Sequence, residues 1–104
     1  MAQFDVYANL SHETKQSIPY LLDLQADLLN NLTTRVVVPL VAVSVMGKDA
    51  KHLNPQFKIN ETSVVMSTAE LAGVNLHFLG EKVCSLTKMR NEIIAALDFL
   101  FTGF

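Results

Sequence analysis

The chain has 104 residues, half of them hydrophobic, with 17% charged and a mean hydropathy of +0.29. That is the length of one domain, 1–104, able to bury roughly two-thirds of its unfolded surface, and its apolar surplus points to a subunit interface. The net charge of −2 and sequence pI of about 5.8 argue against direct nucleic-acid binding, which needs a basic field.

In chain order, the segment QFDVY (Gln3 to Tyr7) alternates apolar and polar and predicts a half-buried strand. MAQFDVYANL has no basic residue and no apolar core before a small-residue cleavage site, so it does not read as a signal peptide and the expected location is cytoplasmic. Ala8 to Ile18 is polar and aperiodic, a loop. After Pro19, YLLDLQAD places Leu22 and Leu24 on one face and Asp23 and Gln25 on the other, a second strand antiparallel to the first. Leu28 and Leu29 break the alternation, so one of the pair faces away from the core or caps an edge.

TTRVVVPLVAV predicts a strand buried on both faces, with Pro39 marking an edge, a bulge or a bend. The longest apolar run, Val36 to Met46, is too short for a bilayer and is interrupted by Pro39 and Ser44, so no membrane role is expected. Gly47 to Pro55 has turn chemistry. Phe57–Ile59 and Thr62–Met66 flank Asn60-Glu61 as a hairpin, and Ser67 or Thr68 caps a single helical turn. Leu76 to Leu79 is read as the last strand, closed by Gly80. Cys84, the lone cysteine, rules out an internal disulfide framework, fits a reducing compartment, and reads as a small buried hydrophobe.

Thr87 to Thr102 predicts the only long helix, roughly 24 Å at about 1.5 Å per residue. Met89, Ile93, Ala96, Leu97, Leu100, Phe101 and Phe104 form its apolar stripe, expected to face the core. Asn91, Ala95, Asp98 and Thr102 form the face that water or a partner sees. Ser85 and Thr87 are candidate N-caps and Gly103 a suitable stop. The ending Phe101-Thr-Gly-Phe104 leaves two readings open: both rings plug the core, or the end is a docking element, next to its copy in a dimer. About six strands and one major helix make an α+β fold, a partly closed antiparallel barrel.

Chemical motifs are sparse. His12, His52 and His77 are widely spaced and fall in no metal-ligand pattern, the glycines are isolated, and no nucleophile elbow or HExxH occurs. The sequence therefore calls for no metal and no cofactor. Arg35 with Asp23, Asp27 or His52 is the one trio that acid–base chemistry could use, and structural pairing of Arg35 with a carboxylate is the favoured reading.

Nearly the whole chain resembles the CcdB family of toxins. The resemblance runs through Q-F-x-V-Y at Gln3–Tyr7, D-x-Q-x-D at Asp23–Asp27, Arg35 with VPL ending at Leu40, L-x-P at Leu53–Pro55, A-x-V at Ala72–Val74, G-E-x-V at Gly80–Val83, and RNEIIAALDFLFTGF. It implies a homodimer of small SH3-like barrels of the CcdB/PemK type, each with a C-terminal helix, and no enzymatic activity. It further implies binding to the DNA gyrase A subunit, trapping of the cleaved gyrase–DNA complex, neutralisation by a CcdA-like antitoxin, and transcriptional autoregulation with that antitoxin. The positions matching the gyrase contact are Leu28, Leu29, Asn30, Asp98, Thr102, Gly103 and Phe104. Thr102 stands where the family pattern often has Trp, leaving Phe104 or Phe101 as the aromatic source; Asn75 replaces a proline. The loop Val45 to Asp49 is the candidate antitoxin contact. The alternative is an mRNA-cleaving endoribonuclease on the same fold, which would depend on Arg35.

Overall fold

The computed structural model describes residues 2–46 and 53–103. Alternation sets the first two strands, β1 (Asp5–Asn9) and β2 (Tyr20–Asp23), which pair antiparallel with Val6 opposite Leu22. The β-branched run becomes β3 (Thr34–Ala42), the strand that organises the sheet. One edge of β3 pairs with β2 over Val37–Leu40; its other edge pairs first with β6 (Ala72–Asn75) and then with β5 (Thr62–Met66). Pro39 lies where those two partners change over. Its carbonyl accepts from the Ser67 N–H at 3.0 Å, and because N–H and C=O of an extended residue point the same way, its missing donor faces the gap between ladders. The expected bend is thus a change of strand partners.

β4 (Gln56–Ile59) and β5 form the expected hairpin. Its two loop residues, Asn60 and Glu61, both have positive φ, 48° and 70°, as a type I′ turn requires. β7 (Leu79–Ser85) returns to pair with β1, giving the order β4-β5-β3-β2-β1-β7 with β6 also on β3. The result is a seven-stranded antiparallel curled half-barrel with a C-terminal helix, an α+β fold.

Two expectations change here. Leu76 to Leu79 is not the last strand. Asn75 accepts from the His77 N–H at 3.0 Å and caps a 3-10 turn over Leu76–Phe78, a local side-chain bond that outcompetes the ladder. Gly80 does not close a strand but lies within β7, where a Cβ would come within 2.9 Å of the Ala8 carbonyl oxygen on β1. A short helix, α1 (Val43–Met46), follows β3 unannounced by the sequence pattern.

The core gathers Val6, Leu22, Val38 and Leu40 from the central strands, Phe57, Ile59, Val64 and Met66 from the hairpin, and Phe4 and Leu86 flanking it. The helix α2 (Arg90–Thr102) closes it with Ile93 and Ala96. Phe4 has φ 70°, unusual for a bulky residue. Its N–H reaches the Asp23 carbonyl and its carbonyl the Leu86 N–H, both at 2.7 Å, so it ties β2 to the start of the helical segment. Regular helix begins only at Arg90, after a 3-10 turn over Thr87–Met89. Ser85 therefore serves that turn, accepting from the Thr87 N–H at 3.2 Å, and caps no α-helix. Gly103 ends the helix as expected, with φ 80° and its N–H on the Phe99 carbonyl. Cys84 is half-buried on β7, and burial pushes its thiol up, in keeping with the hydrophobe reading. Among the described residues no helix is long and apolar enough to cross a membrane.

Candidate functional site

The apolar stripe of α2 does not face the core along its whole length. Ile93 and Ala96 are buried, but Phe101 is 71% exposed and Met89 41% exposed. The reading in which both terminal rings plug the core is thus wrong for Phe101; Phe104 lies outside the described residues. The opposite face matches expectation, with Asn91, Ala95, Asp98 and Thr102 all exposed. The Thr102 hydroxyl donates back to the Asp98 carbonyl at 2.6 Å in the final turn.

Leu28 and Leu29 lie on a 3-10 turn over Asp27–Leu29. Leu28 is 96% exposed and Leu29 49%, so neither is a satellite core residue. The last turn of α2 and this 3-10 turn flank one open groove of about 410 Å³, walled by Leu29, Leu32, Val36, Leu71, Leu97 and Phe101 among others. The structure therefore brings Leu29 together with Phe101, next to Thr102 in the chain. Leu28, Asn30, Asp98, Thr102 and Gly103 are exposed but do not line the groove. Leu32, Val36, Leu71 and Leu97 were missed by sequence reasoning. Val36 was the available signal: it alternates with buried Arg35 and Val37, placing an apolar residue on a face that the fold leaves open.

Under the turn lies a buried polar layer. Arg35 is 1% exposed. One terminal nitrogen donates to the Asp23 carboxylate at 2.5 Å, and the other to Asn30 Oδ1 at 2.5 Å. Gln25 is buried too; its amide donates to the Leu29 carbonyl at 2.9 Å and its oxygen accepts from the Val36 N–H at 3.0 Å. Asp27 accepts from the Gln3 N–H at 2.7 Å. Burial pushes the Asp23 carboxyl up, outweighing the downward pull of Arg35 and of the Gln25 N–H. Asp23 and Gln25, the polar face of the second strand, are thus interior groups.

The structural reading of Arg35 holds. An endoribonuclease would need this cation at a phosphate, yet it is enclosed and committed to Asp23 and Asn30. His52, its third possible companion, lies outside the described residues, as do 47–49 of the Val45–Asp49 segment; Val45 and Met46 belong to α1.

Fold and groove together define a class: a small α+β half-barrel that carries, among the described residues, an open apolar groove on its surface. The family model described as CcdB protein matches residues 3–103, and the chain belongs to the CcdB family, the toxins of toxin–antitoxin modules.

Proposed function

We propose that this protein is a gyrase poison: a single-domain, homodimeric binding protein that engages the DNA gyrase A subunit and traps the cleaved gyrase–DNA complex in the cytoplasm. Its partner in the module is a CcdA-like antitoxin, which neutralises it and joins it in autoregulation. The observation that carries this reading is the groove at which exposed Leu29 and Phe101 meet, beside Leu28, Asp98, Thr102 and Gly103. An apolar ring and leucines left in water at one rim offer the anchor type that dominates interface energetics. Phe101 supplies an aromatic ring one residue before Thr102, where the family pattern often has Trp.

The test is binding to the dimerisation fragment of the gyrase A subunit by the full chain, by a chain lacking Thr102–Phe104, and by Phe101→Ala. Each is first verified as a folded dimer by sedimentation and circular dichroism. The full chain is expected to bind, the truncation to lose binding, and Phe101→Ala to cost about 2 kcal/mol, as loss of an interface anchor does. Failure of the full chain to bind gyrase from its own host overturns the proposal.

A further inference from the structure

Of its own residues the Leu28–Leu29 turn has one long-range tie, the Asp27 carboxylate accepting from the Gln3 N–H at 2.7 Å. It buries none of its three residues, and Ala26 before it gives no side-chain cap. Three local backbone bonds, Leu29 to Ala26, Asn30 to Asp27 and Leu32 to Leu29, define its shape, but local bonds exposed to water do not fix a turn against a sheet. What ties its Leu29 and Asn30 to β2 and β3 comes from below. Gln25 stitches the Leu29 carbonyl to the Val36 N–H of β3, and Arg35, held by Asp23 on β2, reaches up to Asn30.

Stability alone is a poor account of this layer. A buried ion pair gains little over an apolar replacement, and Arg35 keeps its Nε buried without a partner, a further cost. What the guanidinium does supply is geometry. Its planar fork can bind two acceptors in fixed directions, one in the sheet and one in the turn.

We propose that Asp23, Arg35, Gln25 and Asn30 form a clamp that fixes the Leu28–Leu29 turn beside the groove, and that Asn30 is a positioning residue acting through Arg35 rather than a group that touches the partner. This rests on the reading of the rim as the gyrase-binding surface. A turn held in place before binding loses less freedom on association. Asn30 contributes only its carbonyl oxygen to Arg35, and a carboxylate at that position presents the same acceptor with a stronger, charge-assisted bond. A partner that donates to or accepts from the carboxamide would distinguish the two.

The experiment compares the full chain with Asn30→Asp, Asn30→Ala and Leu28→Ala, reading amide hydrogen exchange and binding to the gyrase A dimerisation fragment. Asn30→Ala is expected to speed exchange at Leu29, Asn30 and Leu32 by about tenfold while leaving β1–β3 amides unchanged, and to weaken binding by about tenfold. Asn30→Asp is expected to keep both within about threefold of the parent chain. The clamp is overturned if Asn30→Ala leaves exchange in the turn unchanged. The positioning role is overturned if Asn30→Asp keeps slow exchange yet binds as weakly as Asn30→Ala, since the carboxamide would then be the contact. Should the parent chain show no gyrase binding, with Leu28→Ala equally silent, the gyrase reading fails, and exchange alone decides the clamp.

Discussion

The barrel interior and the rim beside the end of α2 are made from the same residue types and have opposite fates. Leu22 and Leu40 are sealed between the strands; Leu28, Leu29 and Phe101, as apolar, stand in water. The difference lies in what the backbone around them does. Interior leucines sit on strands whose neighbours are paired on both edges, so packing comes with the ladder. Rim leucines sit on a 3-10 turn, and Phe101 on the last turn of α2 with its side chain uncovered. An apolar side chain thus stabilises the fold or stays available for a partner according to whether its element has a covering layer, not according to its own hydrophobicity.

The sharpest way to break this contrast is through the polar layer that joins the two regions. Arg35→Ala leaves the Asp23 carboxylate buried without its cation and should cost about 3–5 kcal/mol by urea unfolding. The double variant Arg35→Met with Asp23→Leu removes both charges and should recover most of that stability while leaving the turn unclamped. Stability and partner binding would then separate within one protein. Leu40→Ala comes next, expected to lose about 2–5 kcal/mol through lost transfer energy and a cavity. Phe101→Ala, with a larger side chain removed, should change unfolding by under about 1 kcal/mol, provided it is measured at a concentration where association does not contribute.

A third test concerns pH and belongs wholly to the barrel. Tyr7 is buried on β1, and its hydroxyl is pushed up to about 12, first by burial and then by the negative charge of Asp5. In the unfolded chain it titrates near its ordinary value of about 10. Below pH 10 both states hold the proton and Tyr7 adds no pH dependence. Between pH 10 and 12 the unfolded chain releases it first, so stability is lost as pH rises, by about 2–3 kcal/mol in the limit. Tyr7→Phe should flatten the slope of stability against pH across that window, and an unchanged slope would show that Tyr7 does not titrate in this way.

What could be read from the chain follows the same division. The hairpin over 56–66, the Gly103 stop and the Asn91–Thr102 exposed face are local patterns, carried by alternation, turn residues and helical spacing. Pairing of Arg35 with a carboxylate followed from residue type, because a buried arginine has few other partners. Its second bond, to Asn30, needed the turn's position and had no sequence signal. LHFL alternates like a strand, yet one Asn75 side chain converts it to a 3-10 turn. The helix stripe was periodic from Met89 onward, but periodicity cannot say which of its positions another element covers. Met89 and Phe101 are exposed while Ile93 and Ala96 are covered.

The smallest effect expected is a gain. Glu61 occupies the second left-handed position of the β4–β5 turn at φ 70°, a conformation that costs a residue with a Cβ about 1–2 kcal/mol and glycine almost nothing. Glu61→Gly relieves that cost. Against it stand the added freedom of glycine in the unfolded chain, about 0.5–1 kcal/mol, and loss of the exposed Lys58–Glu61 pair at 3.7 Å, which is worth a few tenths of a kcal/mol at about 0.3. The balance favours the substitution by about 0.5 kcal/mol, readable as a higher urea midpoint with an unchanged slope. Because the hairpin supplies Phe57, Ile59, Val64 and Met66 to the interior and none of the side chains of the groove, affinity for the proposed gyrase partner should not move. A shift in affinity accompanying the gain would mean that the interior and the rim are coupled, and that the last turn of α2 responds to the packing of the hairpin.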